Sequence, residues 1–594
     1  MSAEDRTQDY RRLALSSATR LLGTLDRSRF SPTAGSFDRD HWAWKFRDFP
    51  IVMLQTGILP VATLWAQPWR GNEYAGSERV LEWLRLALEQ TLHRQRPNGA
   101  YDSVGPNTQD HGVTLAMAYI LATSVQRIGA QVLGEDLTGR IRRAVRQACL
   151  YAARSSEDYA FIANHHALFA LGWLRSGNLL DDDGLRTRGD DEIAQIIAQQ
   201  SAEGWYNEYG GADPGYQSLG MSYLAQYQRE RPLSALQESL GRAVRFMSYC
   251  VQLDGSVGGV VGSRLTSLWY PDGFESLGQS SELARAVAGA VASQLSRANV
   301  VTPESSDAQN LPTLALSYLQ AANYASAQTA HTPDPATLPC ETLRGMQPFP
   351  EAGLIVLGSD HYHGILQGRR GGVGVIHDRA TRSVVFEDAG YVLESGTATW
   401  TSALSGEGNS VQVQDETEFR CQARMLRANL ETLTPFRFLL LRMLNLTVFR
   451  LALLGRLTRR AVIRRMITGR TPGPFSLERT VTLQPRRVLI RDAFRRQGNA
   501  TVASLFRARI FQPLHMGSAR YFHQRDLANL SDTDCTTTAQ RLNQSGNAVR
   551  SICIEFNGGT EPQTVSVTES DAELSALPDL AQPPQPLGPP LKRV

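Results

Sequence analysis

The first 335 residues repeat apolar side chains at the spacing of amphipathic helices. Segments such as SERVLEWLRLALEQTLHRQ, from residue 77, place apolar residues at i, i+3, i+4 and i+7. Related loops separate these helices and recur about every 50 to 60 residues, which is typical of stacked helical hairpins. If the hairpins close into a ring, the loops lie on one face. The loops are RPNGAYDSVGPN from residue 96, SSED from 155, SAEGWYNEYGGADPGY from 201 and LDGSVGGVVGSR from 253.

The pattern changes after a proline-rich stretch at 330–353. Short runs rich in Val, Ile, Phe and Thr follow, such as RSVVFEDAGYVL and SICIEF, with turn residues between them. This pattern predicts antiparallel strands packed as a β-sandwich over residues 350–575. The proline-rich end of the chain, 576–594, is predicted to be disordered. The predicted fold class is therefore α+β and multidomain, with an N-terminal helical domain at 1–335.

One segment interrupts the strands. Residues 435–470 contain nine arginines, and no Asp or Glu occurs between Thr432 and Leu477. The apolar and basic positions predict one or two amphipathic helices inserted in the β domain. These helices either form a layer on the sandwich or contact an anionic membrane surface through 436–470. The arginines within the segment argue against a membrane-spanning helix.

Composition narrows the class of protein only slightly. The chain has 594 residues, 42% hydrophobic and 20% charged, with a formal net charge of +3, and this gives no general reason to expect nucleic acid as a partner. The six cysteines form no CxxC motif, so they are interpreted as isolated buried thiols. The N-terminus lacks the apolar core of a secretory signal, which predicts a cytoplasmic or membrane-peripheral protein and leaves a periplasmic location open.

Two neighbouring segments contain the candidate chemistry. In EDYAFIANHHALFALGWL, Asn164 and the adjacent histidines interrupt an apolar helical pattern, and buried polar groups need partners. The loop EGWYNEYGGADPGYQSLGMSYLAQY, from residue 203, contains five tyrosines, one tryptophan and three carboxylates. Aromatic faces and carboxylates together are typical of a groove that holds sugar rings. A rigid aromatic loop packed against its neighbours is the alternative interpretation.

These motifs and their order resemble the heparinase II/III-like polysaccharide lyases, in the branch associated with bacterial surface polysaccharides. The resemblance covers nearly the whole chain and implies an (α/α) toroid followed by an antiparallel β-sandwich. Its matching residues are Asn164 and His165 in NHHAL, Tyr216 in DPGYQSLG, and His361 and His363 in SDHYHGIL. GSRLTSLWYPDGFE, from residue 262, and DRDHWAWKFRDFP, from residue 38, also resemble this branch.

The resemblance implies β-elimination on an acidic, uronate-containing polysaccharide. Asn164 or His165 would neutralise the sugar carboxylate, as in other oxyanion sites. Tyr216 would act as base, acid or both if nearby positive charge lowers its pKa, and His361 or His363 would be the second proton carrier. The predicted substrate-binding residues are Tyr101, Asp102, Asn107, His111, Trp205, Tyr206, Glu208, Tyr209, Arg264, Trp269, Tyr270 and Glu275.

The sequence departs from the family at its metal site. The family holds a metal in the sandwich with an HxH histidine, a distal Asp and a further histidine, and here no Asp fits cleanly after HYHG. His377, Asp378 and Asp388 are the available substitutes. We therefore expect no cofactor, with zinc as the alternative.

Two other functions fit the same sequence. A glycoside hydrolase on a helical ring would need two carboxylates across its cleft. A non-catalytic glycan-binding protein would use the basic segment as its membrane anchor. The oligomeric state is open. The carboxylates available to a hydrolase are Glu203, Glu208, Asp213, Asp272 and Glu275.

Overall fold

The chain divides into two compact units. The helical unit contains the residues up to Glu341, together with the described residues between 432 and 457 and those from 517 to 527. The β unit contains the remaining described residues from Thr342 onward. The computed structural model describes residues 1–103, 105–157, 160–297, 299–328, 336–430, 432, 434–451, 454, 457, 470–514, 517–527, 532–556 and 564–570.

Seventeen α-helices occur in these described residues, and none of them is long and apolar enough to cross a bilayer. All but the last belong wholly or largely to the helical unit. They are α1 (Ala3–Thr24), α2 (Arg39–Trp42), α3 (Ile58–Ala66), α4 (Glu78–His93), α5 (His111–Ile128), α6 (Ala130–Leu133), α7 (Glu135–Ala152), α8 (Ala163–Leu180), α9 (Asp183–Ala198), α10 (Pro214–Glu230), α11 (Ser234–Cys250), α12 (Asp272–Leu277), α13 (Glu282–Ala292), α14 (Leu311–Ser326), α15 (Pro339–Thr342), α16 (Pro435–Leu446) and α17 (Thr536–Ser545).

Helices α3, α5, α8, α10, α12 and α14 form a closed inner ring. Each packs on the next in this order, and α14 packs back on α3. The inner helix α5 is buried on nearly all sides and is built from small and apolar residues. The outer helix α7 buries only one stripe, which includes Ile141 and Val145, because its other face is charged. The ring is an (α/α) toroid, and the predicted fold class is confirmed.

The recurring loops share a turn that depends on glycine. Gly99, Gly204 and Gly255 have φ values of 90°, 101° and 76°, a region that side chains with a Cβ rarely adopt. Each donates its N–H to the residue three positions earlier, at 2.9 Å. A Cβ on Gly204 would lie 2.3 Å from the carbonyl oxygen of Arg242 in α11, so the turn also brings the loop against the next outer helix.

The β unit is a sandwich of two antiparallel sheets, as far as its described residues extend. The smaller sheet has strand order β1-β2-β3-β4-β5, and the larger has β13-β12-β6-β7-β9-β10-β11-β14-β15 with β8 on β9. The strands are β1 (Gly345–Phe349), β2 (Leu354–Gly358), β3 (Tyr362–Gln367), β4 (Val373–Asp378), β5 (Val384–Asp388), β6 (Tyr391–Ser395), β7 (Ala398–Thr401), β8 (Ser410–Val413), β9 (Glu418–Arg427), β10 (Pro472–Gln484), β11 (Arg487–Arg496), β12 (Ser504–Arg507), β13 (Thr533–Asp534), β14 (Asn547–Glu555) and β15 (Thr564–Ser570).

The core of the β unit contains side chains from both sheets. Ile355 and Ile376 of the smaller sheet pack in one cluster with Val481 and Ile552 of the larger sheet. This cluster fills the space between two sheets packed face to face. Beside it, Arg479 forms buried ion pairs with Asp388 and Asp492.

Two predicted segments fall partly or wholly outside the described residues. The C-terminal tail at 576–594 lies outside them, as does most of the stretch from 452 to 469 in the basic segment. The described part of the basic segment includes α16. By its contacts it belongs to the helical unit, although in sequence it interrupts the strands.

The shared glycine turn gives a stability prediction. Gly204→Ala adds a Cβ against the Arg242 carbonyl oxygen in a left-handed backbone, so we expect it to destabilise the helical unit by roughly 3 kcal/mol. Gly71→Ala is the matched control, since Gly71 has φ 92° but nothing within 4 Å of the added Cβ, and it should cost only about 1 kcal/mol. Urea unfolding followed by far-ultraviolet circular dichroism measures both. Equal losses would contradict the role of the turn in packing.

Candidate active site

The loops that precede α5, α8, α10 and α12 contact one another along one face of the ring. The backbone N–H of Ala163 donates to Asn207 (3.0 Å), and that of Ser263 donates to Ala212 (2.9 Å). Each loop leads from an outer helix into the N-terminus of the next inner helix. The side chains at the starts of the inner helices therefore meet along a shared rim.

Glu208 takes the place of a capping residue for α8. Helix α8 begins at Ala163 without a side-chain cap of its own. The Oε1 atom of Glu208 accepts the backbone N–H of Asn164 and Oε2 accepts its Nδ2–H, both at 2.8 Å. Burial raises the pKa of Glu208 to about 8, against the hydrogen bonds from Asn164, which lower it. The carboxyl group of Glu208 thus fixes the direction of the Asn164 amide.

His165 is held by a second carboxylate. Its Nδ1 lies 2.9 Å from Oε1 of Glu157, and its side chain is 38% exposed. Burial lowers the pKa of His165, but the charge and hydrogen bond of Glu157 outweigh it, so the net shift is upward. With Nδ1 bonded to Glu157, the ring nitrogen that can exchange a proton with a bound molecule is Nε2.

Tyr216 enters the site from the first turn of α10. Asp213 caps this helix by accepting the Tyr216 backbone N–H (3.0 Å), and the phenol oxygen lies 2.8 Å from the hydroxyl of Ser518. Burial raises the pKa of Tyr216 to about 12 despite that hydrogen bond. The condition under which Tyr216 would act as a base, a pKa lowered by nearby positive charge, is not met here, so the phenol is suited to donating a proton.

Asp213 also positions the neighbouring arginine. Its Oδ2 accepts the backbone N–H of Arg264 at 2.8 Å. The guanidinium of Arg264 lies 4.3 Å from the ring centre of Tyr209, a cation–π contact. The hydroxyl of Ser263, the residue before Arg264, donates to the backbone carbonyl of Glu208 at 3.2 Å, so the contacts of Asp213 and Glu208 are joined. The structure therefore brings Asn164, His165, Tyr209, Tyr216 and Arg264 together.

Other predicted binding residues are buried inside the ring, which corrects their assignment. Glu275 pairs with Arg6 at 2.7 Å and stabilises the packing of α1 on the ring. Glu208 is fully buried and acts on Asn164 instead of facing a ligand. Burial leaves these side chains no surface on which to stack a sugar. Tyr101, Tyr206, Trp269 and Tyr270 are buried in the same way, and Asn164 and Arg264 of the cluster are themselves only 5% and 4% exposed.

The first loop is shaped by its own contacts. The buried carboxylate of Asp102 pairs with Arg96 and accepts the backbone N–H of Asn107 (3.1 Å), so it is a structural group and not a binding group. The Asn107 amide donates to the carbonyl of Asn445 at 3.0 Å. Trp205 stays half-buried and donates to Glu203 in its own loop at 3.1 Å.

A cleft of about 310 Å³ adjoins the cluster. Glu157, which holds His165, also lines this cleft. His111 lies in it with Nδ1 at 3.0 Å from Ser155, and His166 lies in it with Nδ1 at 2.7 Å from Glu192. The cleft and the cluster thus share a carboxylate.

The two sandwich histidines lie in the β unit. His363 is fully buried on β3 and pairs across the sheet with the equally buried His377 of β4. His361 lies at the end of the same hairpin, with Nε2 at 3.2 Å from Nε of Arg486. Asp378 accepts from Thr381. Within the described part of the chain, no group of three or more His, Cys, Asp or Glu side chains is arranged to hold a metal ion.

The fold is that of known polysaccharide lyases. A Paenibacillus xanthan lyase matches with a TM-score of 0.51 and 9% identity, over 84% of this chain and 46% of that one. The chondroitin AC lyase of Streptomyces coelicolor A3, in complex with chondroitin sulphate, matches with a TM-score of 0.51 and 12% identity, over 85% of this chain and 71% of that one. This chain thus spans less than half the length of the xanthan lyase.

The sequence by itself matches no family model and no curated protein. A heparan sulfate lyase from Pedobacter heparinus has a TM-score of 0.43, too low to favour the heparinase II/III branch over other lyases. The likeness is therefore one of fold: a helical toroid followed in sequence by antiparallel sheets.

Three supporting residues were not predicted in the roles they have here, and Asp213 was considered only as a hydrolase carboxylate. Asp213 has a local signal, because Asp before Pro-Gly is typical of an N-cap with proline at the first helical position. Glu157 lies in one of the recurring loops, but nothing in its surroundings pairs it with His165. Ser518 is 302 residues from Tyr216 and has no sequence signal at all.

The pairs Glu157–His165 and Glu192–His166 give a prediction that can be tested without a substrate. Glu157→Gln removes the charge that raises the pKa of His165, so this pKa should fall. Glu192→Gln is the control, since it makes the same change beside His166 and should leave the pKa of His165 nearly unchanged. Titration of the imidazole proton signals by NMR measures both. An unchanged His165 in the Glu157 variant would contradict the pairing.

Proposed function

We propose that this protein cleaves an acidic, uronate-containing polysaccharide by β-elimination. The observation that carries the proposal is the cluster at the ring's loop face, where an oriented amide, an arginine, a histidine and a neutral phenol lie together. The fold shared with the xanthan and chondroitin AC lyases supports it. The finer resemblance to the heparinase II/III branch is part of the proposal.

The carboxylate of the sugar must be neutralised before its neighbouring proton can be removed. In this proposal the Nδ2 group of Asn164 donates a hydrogen bond to the uronate, and Arg264 supplies positive charge. Glu208 holds the amide in a fixed direction, so little reorganisation is needed when charge develops on the enolate. Burial of the surrounding groups strengthens these interactions.

The two proton transfers follow from the two titrating groups. Neutral His165 takes the proton alpha to the carboxylate on Nε2. Tyr216 donates its phenol proton to the glycosidic oxygen as the carbon–oxygen bond breaks and the carbon–carbon double bond forms. The raised pKa of Tyr216, about 12, suits a donor to an alkoxide leaving group. Solvent then returns a proton to the phenolate and removes one from the imidazolium.

The arrangement fits a hydrolase less well. Inverting and retaining hydrolases need two carboxylates that reach the scissile bond. Glu208, Asp213, Asp272 and Glu275 are fully buried. Glu203 accepts a hydrogen bond from the indole of Trp205 in its own loop.

His165 of the helical unit is proposed as the second proton carrier of the elimination, in place of His361 or His363.

Replacement of the proton donor tests the reaction. Tyr216→Phe keeps the ring but removes the hydroxyl, so kcat should fall by about a hundredfold or more. Tyr227→Phe is the matched control, because it removes a hydroxyl from the same helix that bonds Asp190, and activity should persist. The assay is the rise in ultraviolet absorbance from the new double bond on chondroitin sulphate, xanthan and other uronate polymers. New reducing ends without that absorbance would indicate hydrolysis instead.

Removal of the amide tests the neutralising role. Asn164→Ala should lower kcat by roughly a hundredfold and change KM much less, since the donor acts mainly on the charge of the transition state. Asn178→Ala on the same helix, whose amide bonds Arg186, is the control and should retain activity. A rise in KM with unchanged kcat would show that Asn164 only binds the ground state.

A further inference from the structure

Helix α16 presents its apolar residues to solvent and its polar residue to the protein. Phe436, Leu440 and Met443 are 74%, 49% and 56% exposed. Their spacing of three and four positions places them on one face of the helix. Leu439 and Leu446, about half exposed, flank that face. Such a large exposed apolar face marks an interaction surface.

The opposite face of α16 holds the helix on the helical unit. Asn445 is buried there, and its backbone carbonyl accepts the Asn107 amide at 3.0 Å. A Cβ on Gly105 would lie 2.6 Å from the Asn445 amide nitrogen, so the two segments are in close contact. The helix is thus fixed with its apolar side outward.

A second exposed apolar group lies next to this helix. Arg442 forms an ion pair with Asp48 at 2.8 Å, which joins α16 to the segment that follows α2. In that segment Trp44 and Phe46 stack with ring centres 5.7 Å apart, and both are well exposed. Tryptophan beside basic residues is typical of proteins that lie at the interface of a bilayer.

The positive charge around α16 decides which partner fits its apolar face, a second copy of the chain or a lipid surface. The described residues 434–451 contain Arg437, Arg442 and Arg450 and no Asp or Glu. A second copy of the chain, related by a two-fold axis, would bring two such basic segments together and cost like-charge repulsion. An anionic phospholipid surface complements the arginines and accepts the apolar side chains.

We propose that α16, with Trp44 and Phe46, docks the helical unit on an anionic lipid bilayer. The apolar face of the helix enters the boundary between headgroups and acyl chains. Exposed arginines such as Arg437 and Arg450 contact the lipid phosphates. The helix lies in the plane of the interface and does not cross it. This inference is independent of the proposed lyase reaction.

Co-sedimentation of the full chain with lipid vesicles tests the apolar face. The protein should bind vesicles of phosphatidylcholine with phosphatidylglycerol more strongly than vesicles of phosphatidylcholine alone, and salt should weaken the binding. The triple variant F436S/L440S/M443S should bind about a hundredfold more weakly, since each change removes roughly a factor of five. The control V132S/L150S removes exposed apolar residues elsewhere and should bind as the wild type does.

Reversing the charge of the exposed arginines tests the same surface by a second route. R437E/R450E should weaken binding to the anionic vesicles, whereas R142E/R143E, on the exposed side of α7, should change it much less. Three results would overturn the proposal. They are wild-type protein that does not bind anionic vesicles, binding that survives the triple serine change, and a wild-type dimer that this change converts to monomer in sedimentation velocity. The last result would assign the face to self-association.

Discussion

Two buried carboxylates at helix N-termini determine where the candidate site lies. Glu208 caps α8 from a neighbouring loop, and Asp213 caps α10 from its own. A buried carboxylate is costly unless hydrogen bonds and positive charge compensate it. The free N–H groups and the dipole of a helix N-terminus offset part of this cost, although burial still raises the pKa of Glu208 to about 8. Each carboxylate also fixes a second group: Glu208 orients Asn164, and Asp213 holds the backbone of Arg264.

The closed ring explains why these contacts collect on one face. Each inner helix starts at a loop from the outer layer, so the positive ends of α5, α8, α10 and α12 all point toward the same rim. The glycine turns at Gly99, Gly204 and Gly255 hold the loops against the outer helices and keep the rim compact. Glu208 and Asp213 accept free N–H groups at two of these ends, so the chemical groups of this face are the side chains on the rim, such as His165 and Tyr216.

The sequence predicts the architecture better than it predicts the site. Helical spacing, loop recurrence and the later change to strand patterns are local signals, and each corresponds to an observed element. Asn164, His165, Tyr209, Tyr216 and Arg264 are recoverable because they lie in the recurring loops or in the first turn of the helix that follows. Burial is not a local property, however, so Trp269 and Glu275 resemble binding residues in sequence but pack inside the ring. The Tyr216–Ser518 contact spans 302 residues and depends on tertiary structure alone.

The orientation of α16 is the reverse of what burial of apolar side chains would favour. A helix that buried Phe436 and Met443 and exposed Asn445 would need no partner, because its apolar face would be covered by its own protein. Here the polar residue is used for docking on the loop that contains Asn107, and the apolar residues are left in solvent. That loop leads directly into α5, whose first residue, His111, lines the cleft beside His165. A lipid surface bound at α16 would therefore lie near the loop that leads into the candidate site.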